Sequence, residues 1–252
     1  MEDFGFEMFE EETPKKEEPF QKDYEENTKP KKQFNNYNKQ NYNKKKSKKR
    51  RNAIDLFKET PEPTPIDFEN IKTDKIVTIV FASKNLTLDN DEKTKIKNLL
   101  DMLKESGFKL RLLCNTVNPI LDLLKDYGYE NIFIIKPWDN YCKTGSYKSY
   151  LPTELNIKAA AYYFDKFDKL PTGIKYLNSA LIEVMFGPNN NQALEYIITY
   201  DPNYDGKQIN FDLSKDTAFW YWFPKKKFKD FGFSIFNVYN ENDYNNLIKM
   251  LK

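Results

Sequence analysis

The chain of 252 residues contains no histidine. That removes the commonest general base near neutral pH, and with it every Ser-His and Cys-His nucleophile pair. Catalysis here would have to run on carboxylates, Lys, Tyr or a bound metal. Cysteine is nearly absent as well. Cys114 and Cys142 are the only two, too few for a disulfide framework, and without histidine they make no structural zinc set. Cys142 has no base beside it and reads as an ordinary thiol, which fits a reducing, cytoplasmic setting. Long apolar runs are also missing: none approaches the roughly 20 residues of a membrane span. The acidic N-terminus lacks the basic and apolar regions of a signal peptide. A soluble protein with no membrane partner is expected.

What is present is charge in blocks. The net charge of +2 hides 40 Lys and Arg against 38 Asp and Glu, spread unevenly. Residues 1–28 are acidic, with Phe4, Phe6, Met8 and Phe9 among the carboxylates in no helical or strand period. Such a stretch cannot bury enough apolar surface to offset its ordering entropy. It reads as a disordered solvating tail, or as a short linear motif whose aromatics dock a partner. Residues 29–52, "KPKKQFNNYNKQNYNKKKSKKRRN", reverse the sign and contain no carboxylate. Lys44, Lys45, Lys46, Lys48, Lys49, Arg50 and Arg51 are suited to phosphates, and Phe34, Tyr37 and Tyr42 to stacking on unpaired bases. The alternative is a basic linker that pairs with the acidic block before it. "AIDLFKET" suits a short helix, and the three prolines of "PEPTPIDFEN" mark a boundary. The expected division is a disordered arm and Pro-rich linker at 1–73 and a folded domain at 74–252.

Within that domain strands and helices alternate. "KIVTIVFAS" (75–83) is a continuous β-branched run that reads as a strand buried on both faces. The next segment is an amphipathic helix, with Asp89 or Asn90 placed to cap it, Ile96, Leu99, Leu100 and Leu103 at helical spacing, and Gly107 as its stop. "KLRLLCN" is a second strand, "NPILDLLKDYG" a shorter helix and "NIFIIKPW" a third strand. "ELNIKAAAYYFDKFDKL" returns to helical period, and "ALIEVMFG" (180–187) and "ALEYIITY" (193–200) read as two further strands. "FSIFNVY" and a helix capped by Asn240, with Asp243 at its third position, close the chain. This order predicts right-handed crossovers and a doubly wound, mainly parallel α/β sheet of Rossmann-like type.

"IIKPWDNY", "KAAAYYFDKFDKL", "YLNSALIEVMFGPNNNQALEYIITYDP" and "FGFSIFNVYNENDYNNLIKML", in that order, resemble the Rossmann-like proteins of the SLOG/DprA-like superfamily common in bacteriophages. The resemblance covers roughly residues 75–252. The Leu-Pro-Trp motif of that family is met by Lys136, Pro137 and Trp138, and its Arg-Asn pair by Leu177 and Asn178. It implies a nucleotide, or in some members single-stranded DNA, at the carboxyl ends of the strands. The family's Gly-rich phosphate turns are altered. Ala82, Ser83 and Lys84 stand at the first, Asn115, Thr116 and Val117 at the second, and Lys215, Asp216 and Thr217 at the third. A β-carbon blocks the approach that Gly allows, and Asp216 repels phosphate.

The ligand residues so implied are Ser83, Lys84, Asn115, Thr116, Trp138, Asp139, Asn140, Asn178 and Thr217. Trp138, Asp139, Asn140 and Tyr141 suit the rim of a base site, or a loop lid packed by Trp138. "AFWYWF" (218–223) reads as an element packed on the sheet or as a base-stacking platform, and "FPKKKFKDF" (223–231) as a solvated basic loop. Glu183 and Glu195, on separate predicted strands, form a carboxylate pair or are solvated singly.

The resemblance thus implies a phage-encoded, non-catalytic protein that binds a nucleotide or single-stranded nucleic acid, with no cofactor and no metal. Its acidic aromatic N-terminus would meet phage proteins, in the host cytoplasm or packaged in the virion. A virion-associated interaction protein with a decayed ligand site is the alternative. A nucleotide-processing enzyme is the third reading, opposed by the absence of histidine and of a Gly-rich phosphate motif.

Overall fold

A computed structural model of the chain describes residues 61–82, 86–114, 118–202, 216–229 and 231–252, all within the unit Arg51–Lys252. The expected acidic and basic arm lies outside the described residues. The end of the linker before Asp74 packs on the domain: Ile66 is buried, and Phe68 sets its ring 6.0 Å from those of Phe186 and Phe228. Lys72–Thr73 (β1) then pairs in parallel with Gln192–Ala193, so the packed region begins upstream of 74. Prolines at 61, 63 and 65 stiffen the approach, and Ile66 and Phe68 just after them supply the burial that holds it.

Ile76–Phe81 (β2) is buried at every position, as a strand covered on both faces must be. Asn90–Glu105 (α1) crosses to Lys109–Leu113 (β3). Asp89 accepts from the Glu92 amide at 2.8 Å while Glu92 accepts from the Asp89 amide at 2.9 Å, a reciprocal cap. Ile132–Ile135 (β4) follows, then the two-residue Ser149–Tyr150 (β5).

The helix expected over "NPILDLLKDYG" is instead a series of short 3₁₀ turns, Asn118–Ile120 and Leu123–Asp126. So short a link is a marginal α nucleus, and tighter turns still bury Ile120, Leu124 and Tyr127. Glu154–Tyr163 (α2) and Thr172–Phe186 (α3) come next, and here "ALIEVMFG" is corrected: it is the second half of α3, not a strand. Its β-branched residues mimic a strand because α3 is buried nearly all round, which erases the polar face that marks a helix.

Gln192–Ala193 (β6), Tyr196–Tyr200 (β7), Asp216–Lys227 (α4), Ser234–Asn237 (β8) and Glu241–Leu251 (α5) complete the fold. The main sheet runs β5-β4-β3-β2-β7-β8, with every neighbouring pair parallel. One face packs Val77, Ile79, Leu110 and Leu112 against α1 and Leu247 of α5. The other packs Val80, Leu113 and Ile197 against α2, α3 and the aromatics Trp220, Phe223 and Phe228. The chain is therefore a doubly wound α/β domain, and its order reverses between β2 and β7. No helix of the described residues is long and apolar enough to cross a membrane.

Candidate functional site

The reversal between β2 and β7 is where a ligand of a parallel α/β fold is expected, beyond the carboxyl ends of the strands. The described part of that rim is closed and acidic. Tyr200, the last residue of β7, donates to Glu92 Oε1 at 2.6 Å, and burial with this bond pushes its phenol pKa up. The first turn of α1 carries Asp91 and Glu92 behind the cap Asp89, so its dipole is already met by carboxylates. On the other side the Asp201 amide donates to Asn237 Oδ1 at 3.0 Å, Asn237 Nδ2 returns to the Asp201 carbonyl at 2.9 Å, and the Asn237 amide donates to Asp243 Oδ2 at 2.9 Å. The Asp243 carboxylate thus reaches back to β8, while its amide donates to the Asn240 cap at 3.3 Å. A phosphate would meet these carboxylates as like charges.

Of the residues the sequence singled out, Ser83, Lys84, Asn115 and Thr116 lie outside the described residues, as do Lys44, Lys45, Lys46, Lys48, Lys49, Arg50 and Arg51. Thr217 falls in the first turn of α4. Asn178 is buried within α3, not in a turn before a strand. Trp138 sets its ring 4.5 Å from Tyr141, edge to face, and its Cη2 stands 3.7 Å from where a β-carbon at Gly173 would be. It packs the loop onto the first turn of α3, while Asp139 and Asn140 stay exposed. Cys142 does not stand alone: it is brought against Cys114 at the end of β3, with Cα atoms 6.4 Å apart, a spacing that a disulfide can bridge. Trp220 and Phe223 of the aromatic run are core residues, 1% exposed each, and "FPKKK" ends α4 instead of forming a loop.

The developed site lies at the opposite end of the sheet, and sequence reasoning missed it. A cavity of about 470 Å³ opens between the carboxyl end of α3, the starts of β2 and β3, and Phe133, Ile135 and Tyr150 of β4 and β5. Arg111, alone among apolar neighbours in β3, is buried on its floor. Its Nη1 donates to the Gln192 carbonyl at 2.9 Å and the Val184 carbonyl at 3.3 Å, and Nη2 to Gln192 Oε1 at 2.7 Å. Gln192 Nε2 in turn donates to Asp74 Oδ2. Desolvation lowers the Arg111 pKa to about 10, so the side chain is a cation at neutral pH.

Glu183 also lines the cavity, 2% exposed, and its Oε2 has no hydrogen-bond partner among the described residues. Burial raises its pKa to about 8, against the opposing pull of Arg111, so the carboxyl is mostly neutral at pH 7. Glu183 and Glu195 are not a pair on two strands: one is on α3, and the other is in the link between β6 and β7. The signal available in the sequence was a lone Arg and a lone Glu inside otherwise apolar runs, since buried charges need partners.

Gly187 closes this end of α3 at φ +75°, where a β-carbon would stand 3.2 Å from Arg111 Nη2. Gly187→Ala is expected to cost about 1–2 kcal/mol in urea unfolding, from left-handed strain and displacement of the guanidinium. A cost near zero would mean that the guanidinium moves aside readily.

Comparison of the chain with family models, with curated proteins and with solved structures gives no match.

Proposed function

We propose that this chain is a non-catalytic protein that binds a nucleotide or single-stranded nucleic acid, with phosphates met by the basic arm. One observation carries the reading: residues 29–52 combine Lys, Arg, Phe and Tyr without a single carboxylate. Cations at that density release condensed counterions from a phosphate backbone, and the interleaved aromatics suit unpaired bases. The acidic, capped rim at the carboxyl ends of β2 and β7 supports giving this task to the arm instead of to the usual crevice. In the phage setting that the sequence resemblance implies, the protein acts in the host cytoplasm or is packaged with the genome, and the same arm serves either place.

Removing residues 1–52 is expected to weaken binding of a single-stranded oligonucleotide by at least about tenfold at low salt, and to flatten the dependence of log K on log salt by about 0.7 per lost contact. Fluorescence anisotropy across a salt series measures both. An unchanged affinity and slope would remove the arm from the function.

A further inference from the structure

We propose that the cavity under the carboxyl end of α3 binds a nucleobase, and that a nucleoside monophosphate enters it base first with its phosphate at the mouth beside Lys109. The inference rests on the nucleotide reading above but uses a different part of the chain. Its volume of about 470 Å³ falls within the range of roughly 300–1,000 Å³ for small-molecule sites.

The walls are of three kinds. Ile76, Ile135 and Pro188 are apolar. Phe133 and Tyr150, with ring centroids 5.9 Å apart, give an aromatic side on which a planar ring can lie. Glu183 is the polar end, its Oε2 buried without a hydrogen-bond partner among the described residues.

A buried neutral carboxyl carries one O–H donor and one carbonyl acceptor on the same group. Each nucleobase presents a donor next to an acceptor on its edge, so the two edges match as a cyclic pair. Arg111 cannot take this role, because its bonds to Val184 and Gln192 hold it as part of the wall. At the mouth the exposed Lys109 ammonium has no ion-pair partner among the described residues, whereas Lys75 Nζ is drawn away to the Ser106 carbonyl at 2.9 Å and over the Phe108 ring. Asp74, the acidic group there, accepts from Gln192, and its charge is offset by the buried Arg111 cation.

The charged group that acts on Glu183 is Arg111 from β3; Asp74, which acts on Arg111, and Lys109 line the same cavity. Ionisation of Glu183 removes the donor and adds a charge that opposes the phosphate, so affinity falls above about pH 8.

Isothermal titration of the full chain with AMP, GMP, CMP and UMP, and with the matching nucleosides, tests the proposal. At least one monophosphate is expected to bind with Kd below about 1 mM. Glu183→Leu should weaken it by about tenfold or more. Glu183→Gln, which keeps a donor and an acceptor, should bind within a few-fold of the parent at neutral pH and lose the fall in alkaline solution. Lys109→Glu, at an exposed side chain, should weaken the monophosphate and spare the nucleoside. Removing residues 1–52 should leave mononucleotide binding intact, so failure of the arm and failure of the cavity are told apart. The proposal is overturned if no monophosphate saturates the chain, or if binding is indifferent to both Glu183→Leu and Lys109→Glu.

Discussion

Arg111→Ala is expected to lower the free energy of unfolding by about 3–5 kcal/mol at neutral pH, a large share of the 5–15 kcal/mol typical of a folded domain. The guanidinium closes three bonds to buried or half-buried oxygens, on Val184 and Gln192, and Gln192 in turn fixes Asp74. Its removal leaves those acceptors without a donor at the carboxyl end of α3 and enlarges an existing cavity. Because Glu183 is mostly neutral, the loss comes more from unmet acceptors than from a stranded negative charge. Urea unfolding of Arg111→Ala beside Arg111→Met separates the parts, since Met refills volume but donates nothing. A loss under about 1 kcal/mol would mean that water or rearrangement replaces the bonds, and that Arg111 does not organise this end of the fold.

The second large effect is on pH dependence, and its sign is unusual for a carboxylate. Glu183 is raised by burial from 4.5 to about 8 in the folded chain, so between those values the native state holds a proton that the unfolded state has released. Stability from this group is therefore full in acid, falls as pH rises through that window by at most about 1.4 kcal/mol per unit, and is fully lost above about pH 8. Between pH 6 and 8 the expected loss is about 2 kcal/mol. Glu183→Gln, neutral throughout, removes the slope and is the more stable chain at pH 8. Subtracting its urea midpoints from those of the parent cancels every other titrating group. Parallel stability profiles would place the ionisation of Glu183 outside this window.

Much of the sheet was legible because burial on both faces writes itself as β-branched runs, as in Ile76–Phe81 and Ile132–Ile135, and because Asp89, Gly107 and Asn240 carry local cap chemistry. The same burial made α3 illegible. A helix covered on nearly every side loses its polar stripe, and only Pro171 before it and Gly187 after it marked fifteen residues as one element. The turns after β3 were misread because length, not pattern, decides between a short α-helix and 3₁₀ turns. Site residues were sought at the carboxyl ends of the strands, where fold-level analogy puts them. The developed cavity joins Arg111 to Gln192 across 81 positions of sequence, a pairing that no local motif encodes. What was readable in principle was the oddity of each charge in its apolar run.

The neutral, ligand-facing carboxyl of Glu183 can be observed directly by carbon NMR of side-chain carboxyl groups in chain labelled at glutamate, with Glu183→Gln supplying the assignment. At pH 7 the Glu183 signal is expected at the position of a protonated acid, moving only near pH 8 in titration, and shifting on addition of a nucleoside monophosphate. A signal already at the carboxylate position at pH 6, indifferent to all four monophosphates, would contradict the account.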